Sequence, residues 1–100
     1  MKNKLKRLQE LVLENKKTKG FNTTSIEQEF CYLYGEVGEA YTAYCRELSS
    51  LSEELADVAI YLLGISEILG IDLYEEILKK MEINRNREYR TNDRGIPVKN

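Results

Sequence analysis

Two apolar seams of matching step pattern, separated by residues 45–50, constrain this chain more than any other feature. The first is Ile26, Phe30, Leu33, Val37, Ala40 and Tyr44; the second is Leu51, Leu55, Val58, Leu62, Ile65 and Leu69. Both advance in steps of 4, 3, 4, 3 and 4, which returns side chains to one face of a helix and never to one face of a strand. A connection this short leaves the second helix no room to do anything but double back, so an antiparallel helical hairpin is expected.

Two further helices flank the hairpin. The first runs from about Asn3 to Lys17, with Leu5, Leu8, Leu11 and Val12 at helical spacing, and Gly20 is its expected stop. Thr24 and Ser25, followed three positions later by Glu27 and Gln28, offer overlapping capping boxes for the second helix. The Ser49–Ser50 pair breaks that helix after about Cys45, and Ser50 with Glu53 offers a box for the third. The third helix stops at Gly70, and Asp72 with Glu75 opens a fourth that carries Leu73, Ile77 and Met81 and fades near Tyr89. The expected architecture is all-α: one domain over residues 1–90, then an irregular tail over 91–100 holding Gly95 and Pro97. A chain of 100 residues buries a modest share of its surface, and the seams expose more apolar area than one hairpin can hide. Hairpins from separate copies are therefore expected to complete a four-helix bundle in a homo-oligomer. Gly35 and Gly38 point away from the seam, where a close-packed second helix is expected, and the tyrosines 34, 41, 44 and 61 are expected to pack rather than to stack on a base.

The absence of histidine removes whole classes of chemistry. Ser-His-Asp and Cys-His nucleophile systems, histidine-ligated zinc or haem, and imidazole acid–base catalysis are all excluded. Cys31 and Cys45, 14 positions apart on one helix, would stand about 21 Å apart, beyond disulfide reach. Two lone thiols fit a reducing compartment, and residues 1–13 lack the continuous apolar run of a secretory leader. The longest apolar run, Val58–Leu63, is too short to span a membrane, so a cytoplasmic protein is expected. Charge is unevenly spread: residues 1–19 and 79–100 carry net charges of +5 and +4, and residues 20–78 carry −11.

Part of that acidity is concentrated on one flank of the hairpin. With Leu33 and Val58 each set to 0°, Glu36 and Glu39 fall at about −60° and −120°, and Glu54 and Asp57 at about −40° and −100°. Flanks of the same sign lie on one side of an antiparallel pair. Glu39 and Asp57 are each six residues from the turn, so they should share a height. No Lys or Arg lies three or four residues from any of the four to relieve their repulsion. A hard divalent cation would, and oxygen-only ligation points to magnesium, with manganese as the alternative.

Glu36-Val37-Gly38-Glu39, followed by Glu53-Glu54-Leu55-Ala56-Asp57, resembles the E-E-x-x-E and E-E-x-x-D signature of the MazG-like, all-α nucleoside triphosphate pyrophosphohydrolases. The resemblance covers about residues 20 to 90. It takes in Val58-Ala59-Ile60-Tyr61-Leu62-Leu63, Gly70-Ile71-Asp72-Leu73, and a K-x-x-x-N-x-x-R helix end at Lys80, Asn84 and Arg87. Gly35 stands where the first glutamate of the signature is expected, which removes one accessory carboxylate. The resemblance implies magnesium-dependent hydrolysis of a nucleotide's α–β phosphoanhydride to a monophosphate and pyrophosphate, in dimers or tetramers. It implies metal ligation by Glu36, Glu39, Glu54 and Asp57, with Glu36 as a candidate proton acceptor. Lys80, Asn84 and Arg87 recur at i, i+4 and i+7 on one helix face, suited to gripping phosphate oxygens. The rival expectation is a helical interaction module that binds nucleic acid through its basic ends. An acidic groove would serve no purpose in such a binder.

Overall fold

The computed structural model describes residues 3–87, 89–91 and 93–99. It contains four helices: α1 (Lys4–Lys19), α2 (Ile26–Cys45), α3 (Leu51–Ile68) and α4 (Leu73–Asn86). Three of the four N-termini are capped by a side chain. Asn3 accepts from the Lys6 amide, Ser25 from Gln28 and Asp72 from Glu75, each satisfying an amide that the helix itself leaves unpaired. The exception is Ser50. Its backbone is already helical (φ −78°, ψ −1°) and it makes no side-chain cap, so the expected Ser50–Glu53 box does not form.

α2 and α3 form the antiparallel hairpin, but they meet along a line rotated from the expected seams. The α2 positions turned inward are Glu29, Leu33, Glu36, Ala40 and Ala43. Phe30, Val37 and Tyr44 are exposed, as are Leu55, Leu62 and Leu69 on α3. The small Ala40 and Ala43 let the helices approach, and the larger apolar residues are left on an outer stripe. Side-chain size explains the rotation: spacing identifies an apolar face, but small residues decide where two helices come closest.

α1 packs across α3, and glycine permits it. A Cβ on Gly64 would stand 3.3 Å from Val12 Cγ1 and 3.7 Å from Lys16 Cδ. The opposite end of α1 is fastened by Gln9, which is fully buried. Its amide nitrogen donates to Glu67 Oε1 (3.3 Å) and the Ile71 carbonyl (2.8 Å), and its oxygen accepts from the Leu73 amide (2.9 Å). Lys6 Nζ completes the knot at 2.7 Å from Glu67. One buried side chain thus fixes the corner between α3 and α4 and aims α4 along α1. α4 itself buries no residue.

Two expectations are corrected here. The tail is not wholly irregular: β1 (Tyr89–Thr91) pairs antiparallel with β2 (Pro97–Lys99), Arg90 opposite Val98. Strands of three residues are shorter than the four to eight over which alternation can be read from a sequence. Among the described residues nothing approaches within 4 Å of a Cβ built on Gly35 or Gly38, so no helix of this chain packs behind them.

Candidate metal centre

The rotated hairpin line carries the carboxylates inward. Glu36 comes from the middle of α2, and Glu54 and Asp57 come from the first two turns of α3. One oxygen from each lies within 4.8 Å of the others. Glu39, one turn beyond Glu36, stands close enough for its charge to act on both Glu36 and Glu54. Three of the four sequence-predicted carboxylates therefore converge on one point, and Glu39 adjoins them.

Their electrostatics are unfavourable as they stand. Glu36 Oε2 and Glu54 Oε2 are buried and accept no hydrogen bond. Burial is the first cause that raises the Glu36 carboxyl above its ordinary 4.5, followed by the charges of Glu39, Asp57 and Glu54. Glu54 is raised in the same way, by burial first and then by Glu39 and Asp57. Two oxygens on opposite sides of a magnesium-sized ion, at about 2.0–2.1 Å each, stand about 4.1 Å apart. The cluster has the right size, the right donor type and two orphaned lone-pair sites for such an ion.

A pH dependence follows, and its sign is opposite to that of an ion-paired carboxylate. A raised acid binds its proton more tightly in the folded chain than in the unfolded one. Stability of the metal-free protein therefore rises as pH falls through the raised values toward 4.5. Thermal melting in chelator should show Tm increasing on going from neutral pH into that window. A Tm that falls steadily from pH 7 downward would contradict it.

Lys80, Asn84 and Arg87 are not brought to this cluster by their own chain. Lys80 and Asn84 lie on α4, which packs on α1. The helix ends at Asn86, short of the expected Tyr89, and Arg87 is its extended C-cap (φ −76°, ψ 139°). The expected single helix face therefore does not reach Arg87, whose Nη1 donates to Asn84 Oδ1 at 3.2 Å. A different group, missed by sequence reasoning, does border the carboxylates. Lys16 of α1 stands 2.5 Å from Glu29 Oε1, and both are buried. Lys16 lies 5.2 Å from the centre of the Tyr61 ring, and Tyr61 is braced against Tyr32 at 5.8 Å. The available signal was the step from Glu29 to Glu36 through Leu33: an acid on the inward line of a helix, without a partner on its own helix, calls for one from elsewhere.

Comparison with known proteins agrees with this geometry. Over 42 residues the chain is 48% identical to human dCTP pyrophosphatase 1, which is 42% of this chain and 25% of that protein. The chain thus spans about a quarter of the length of that curated relative. No family model matches it. A solved cyanophage S-2L MazG-like pyrophosphohydrolase, bound to dGDP and three catalytic Mn2+ ions per active site, superposes with a TM-score of 0.78. It is 25% identical, and the match covers 98% of this chain and 94% of that one. The chain has a MazG-like fold. The all-α MazG-like fold accounts for both the doubled acidic motif and the hairpin that presents it. Among the described residues, no helix is long and apolar enough to cross a membrane.

Proposed function

We propose that this MazG-like protein hydrolyses nucleoside triphosphates at the α–β phosphoanhydride, releasing a monophosphate and pyrophosphate. The observation that carries the reading is the convergence of Glu36, Glu54 and Asp57, with Glu39 adjoining them. Those four residues would hold magnesium or manganese, as the manganese-bound relative does with its own residues. The metal supplies charge neutralisation for the phosphates and lowers the pKa of a bound water. The chain's own contribution is to fix four oxygens in one groove and to keep one of them basic. Glu36, whose Oε2 is buried and unpartnered, would take the proton of the attacking water.

Lys80 and Arg87, with Asn84, are assigned to the outgoing phosphates. Within one chain Lys80 and Asn84 stand on a helix that buries nothing and Arg87 just beyond its end, so the assignment goes together with assembly. Assembly is supported by area: the chain exposes 7720 Å², about a third more than the ~5,900 Å² of a compact monomer of its mass. Its radius of gyration, 16.9 Å, exceeds the ~13 Å of a compact 100-residue domain. The outer stripe of Phe30, Val37, Tyr44, Leu55, Leu62 and Leu69 gives a second hairpin a surface to pack on. We assign a homo-oligomer, dimer or tetramer, in a cytoplasmic setting that keeps the exposed Cys31 and Cys45 reduced.

Product analysis tests the reaction. Chromatography of a triphosphate digest should show monophosphate and pyrophosphate in equal amounts, with no diphosphate accumulating; diphosphate plus orthophosphate as first products would overturn the assignment of the bond. Light scattering tests the assembly. The wild type should exceed 11.7 kDa at micromolar concentration, and Leu55→Glu, on the outer stripe, should reduce it to monomer. A wild-type monomer would remove the basis for Lys80 and Arg87 at the site.

A further inference from the structure

Gln9 is wholly enclosed and lies far from the carboxylates. Its nearest partner on α3, Glu67, is ten positions beyond Asp57, about 15 Å along that helix. Each of its polar atoms is committed. Nε2 donates to Glu67 Oε1 and to the Ile71 carbonyl, and Oε1 accepts from the Leu73 amide. Burying an amide is costly unless it is paired, and here the pairing is complete. Lys6, at 2.7 Å, holds the Glu67 carboxylate in place to receive the first of these bonds.

The bond to Leu73 bears on α4. Leu73 is the first residue of that helix, so its amide is one of those the helix leaves unpaired. Asp72 caps the Glu75 amide from within the same segment, and Gln9 caps the Leu73 amide from α1. The approach is prepared locally. Gly70, at φ +72°, ends α3 in a left-handed turn in which the Ile71 amide bonds the Ser66 carbonyl (2.8 Å). That turn offers the Ile71 carbonyl and the Leu73 amide to one side chain of α1. Farther along, α4 buries no residue, so its direction is set at its first turn. Lys80 and Asn84 stand seven and eleven positions beyond Leu73, about 10 and 16 Å along the axis. A swing of about 10° at that turn would move them by about 2 and 3 Å. Where groups must be aligned with a reacting substrate, a displacement of about 1 Å is enough to cost about a hundredfold.

We propose that Gln9 is a positioning residue: through the Leu73 amide it sets the direction of α4, and so the place at which Lys80 and Asn84 meet the outgoing phosphates. The proposal rests on the phosphate assignment given above. It gives a buried amide on one helix control over a phosphate grip carried by another.

Two variants test the bond from its two ends. Gln9→Met keeps the length of the side chain and removes its polar atoms. Leu73→Pro removes the amide that Gln9 holds. Proline is tolerated at the first position of a helix, and Asp72 before it is already extended (ψ 98°), so this variant serves even where Gln9→Met fails to fold. Calorimetry with inorganic pyrophosphate in excess magnesium reads the grip, and triphosphate turnover reads its use. In both variants the pyrophosphate Kd and the triphosphate KM should rise about tenfold or more. The affinity for magnesium alone should not change. In a Lys80→Ala, Asn84→Ala background the same substitutions should raise neither value further. A merely structural role would instead lower the active fraction, and hence kcat, equally in both backgrounds. Wild-type Kd and KM in a folded Leu73→Pro, or losses that multiply in the second background, would overturn the proposal. A wild type that binds no pyrophosphate would overturn it as well. If the wild type binds pyrophosphate but hydrolyses no triphosphate, and the variants weaken that binding, the positioning role stands and the hydrolase reading fails. If hydrolysis proceeds and the variants bind pyrophosphate as the wild type does, Gln9 is structural only.

Discussion

Replacing Glu54 by Gln should lower turnover about a thousandfold while raising the melting temperature of the metal-free protein. Two physical terms act in opposite directions at the same atom. Each carboxylate lost weakens the hold on an ion that contributes several kcal/mol of charge stabilisation to phosphoryl chemistry, and about 4 kcal/mol corresponds to a thousandfold in rate. Yet Glu54 Oε2 is buried without a partner and stands among Glu36, Glu39 and Asp57. Removing its charge relieves both the desolvation and the repulsion. Glu36→Gln should behave alike for the same reasons. A structural glutamate would show the opposite pairing, losing stability and activity together. Calorimetry in chelator and in excess magnesium distinguishes the two cases. The wild type should gain Tm from magnesium, and the variants should gain much less. If the wild type gains nothing from magnesium or manganese, or Glu54→Gln retains full turnover, the carboxylates are not a metal centre.

The same carboxylates show how far sequence reasoning reaches. Their convergence followed from helical geometry alone, because an α-helix turns through a fixed angle and a short loop forces antiparallel return. Capping at Ser25 and Asp72 was legible for a related reason: the bond lies within three residues of the chain. Ser50 has the same pattern and fails, since its backbone has already turned helical. The contacts that were not legible span 58 to 64 residues. Gln9 to Glu67, Ile71 and Leu73 joins groups that look like ordinary polar surface when read along the chain. Gly64 is equally silent, because a missing Cβ announces a close approach only when the partner helix is known. The outer stripe was read as a core seam for want of the same information. Its spacing is that of a packed helix, yet this chain leaves it exposed.

The largest expected loss of stability comes from Lys16, a residue that its neighbours Lys17 and Lys19 make look like part of a solvated basic helix end. Lys16→Met keeps most of the aliphatic stem against Gly64 and removes the ammonium from Glu29. A fully buried carboxylate would then retain only the Asn22 amide. Breaking a buried pair from one side costs about 3–5 kcal/mol, because the remaining charge keeps its desolvation penalty and loses its compensation. Lys16→Met with Glu29→Gln removes both charges and leaves a neutral amide able to accept from Asn22, so it should recover most of that loss. Denaturant titration of the two variants beside Glu29→Gln completes a cycle in which the coupling should exceed about 2 kcal/mol. A pair that contributed little would give additive losses, as exposed ion pairs such as Arg7–Glu10 do. Strong coupling would mean that the loop between α1 and α2 is held through Glu29 and Asn22.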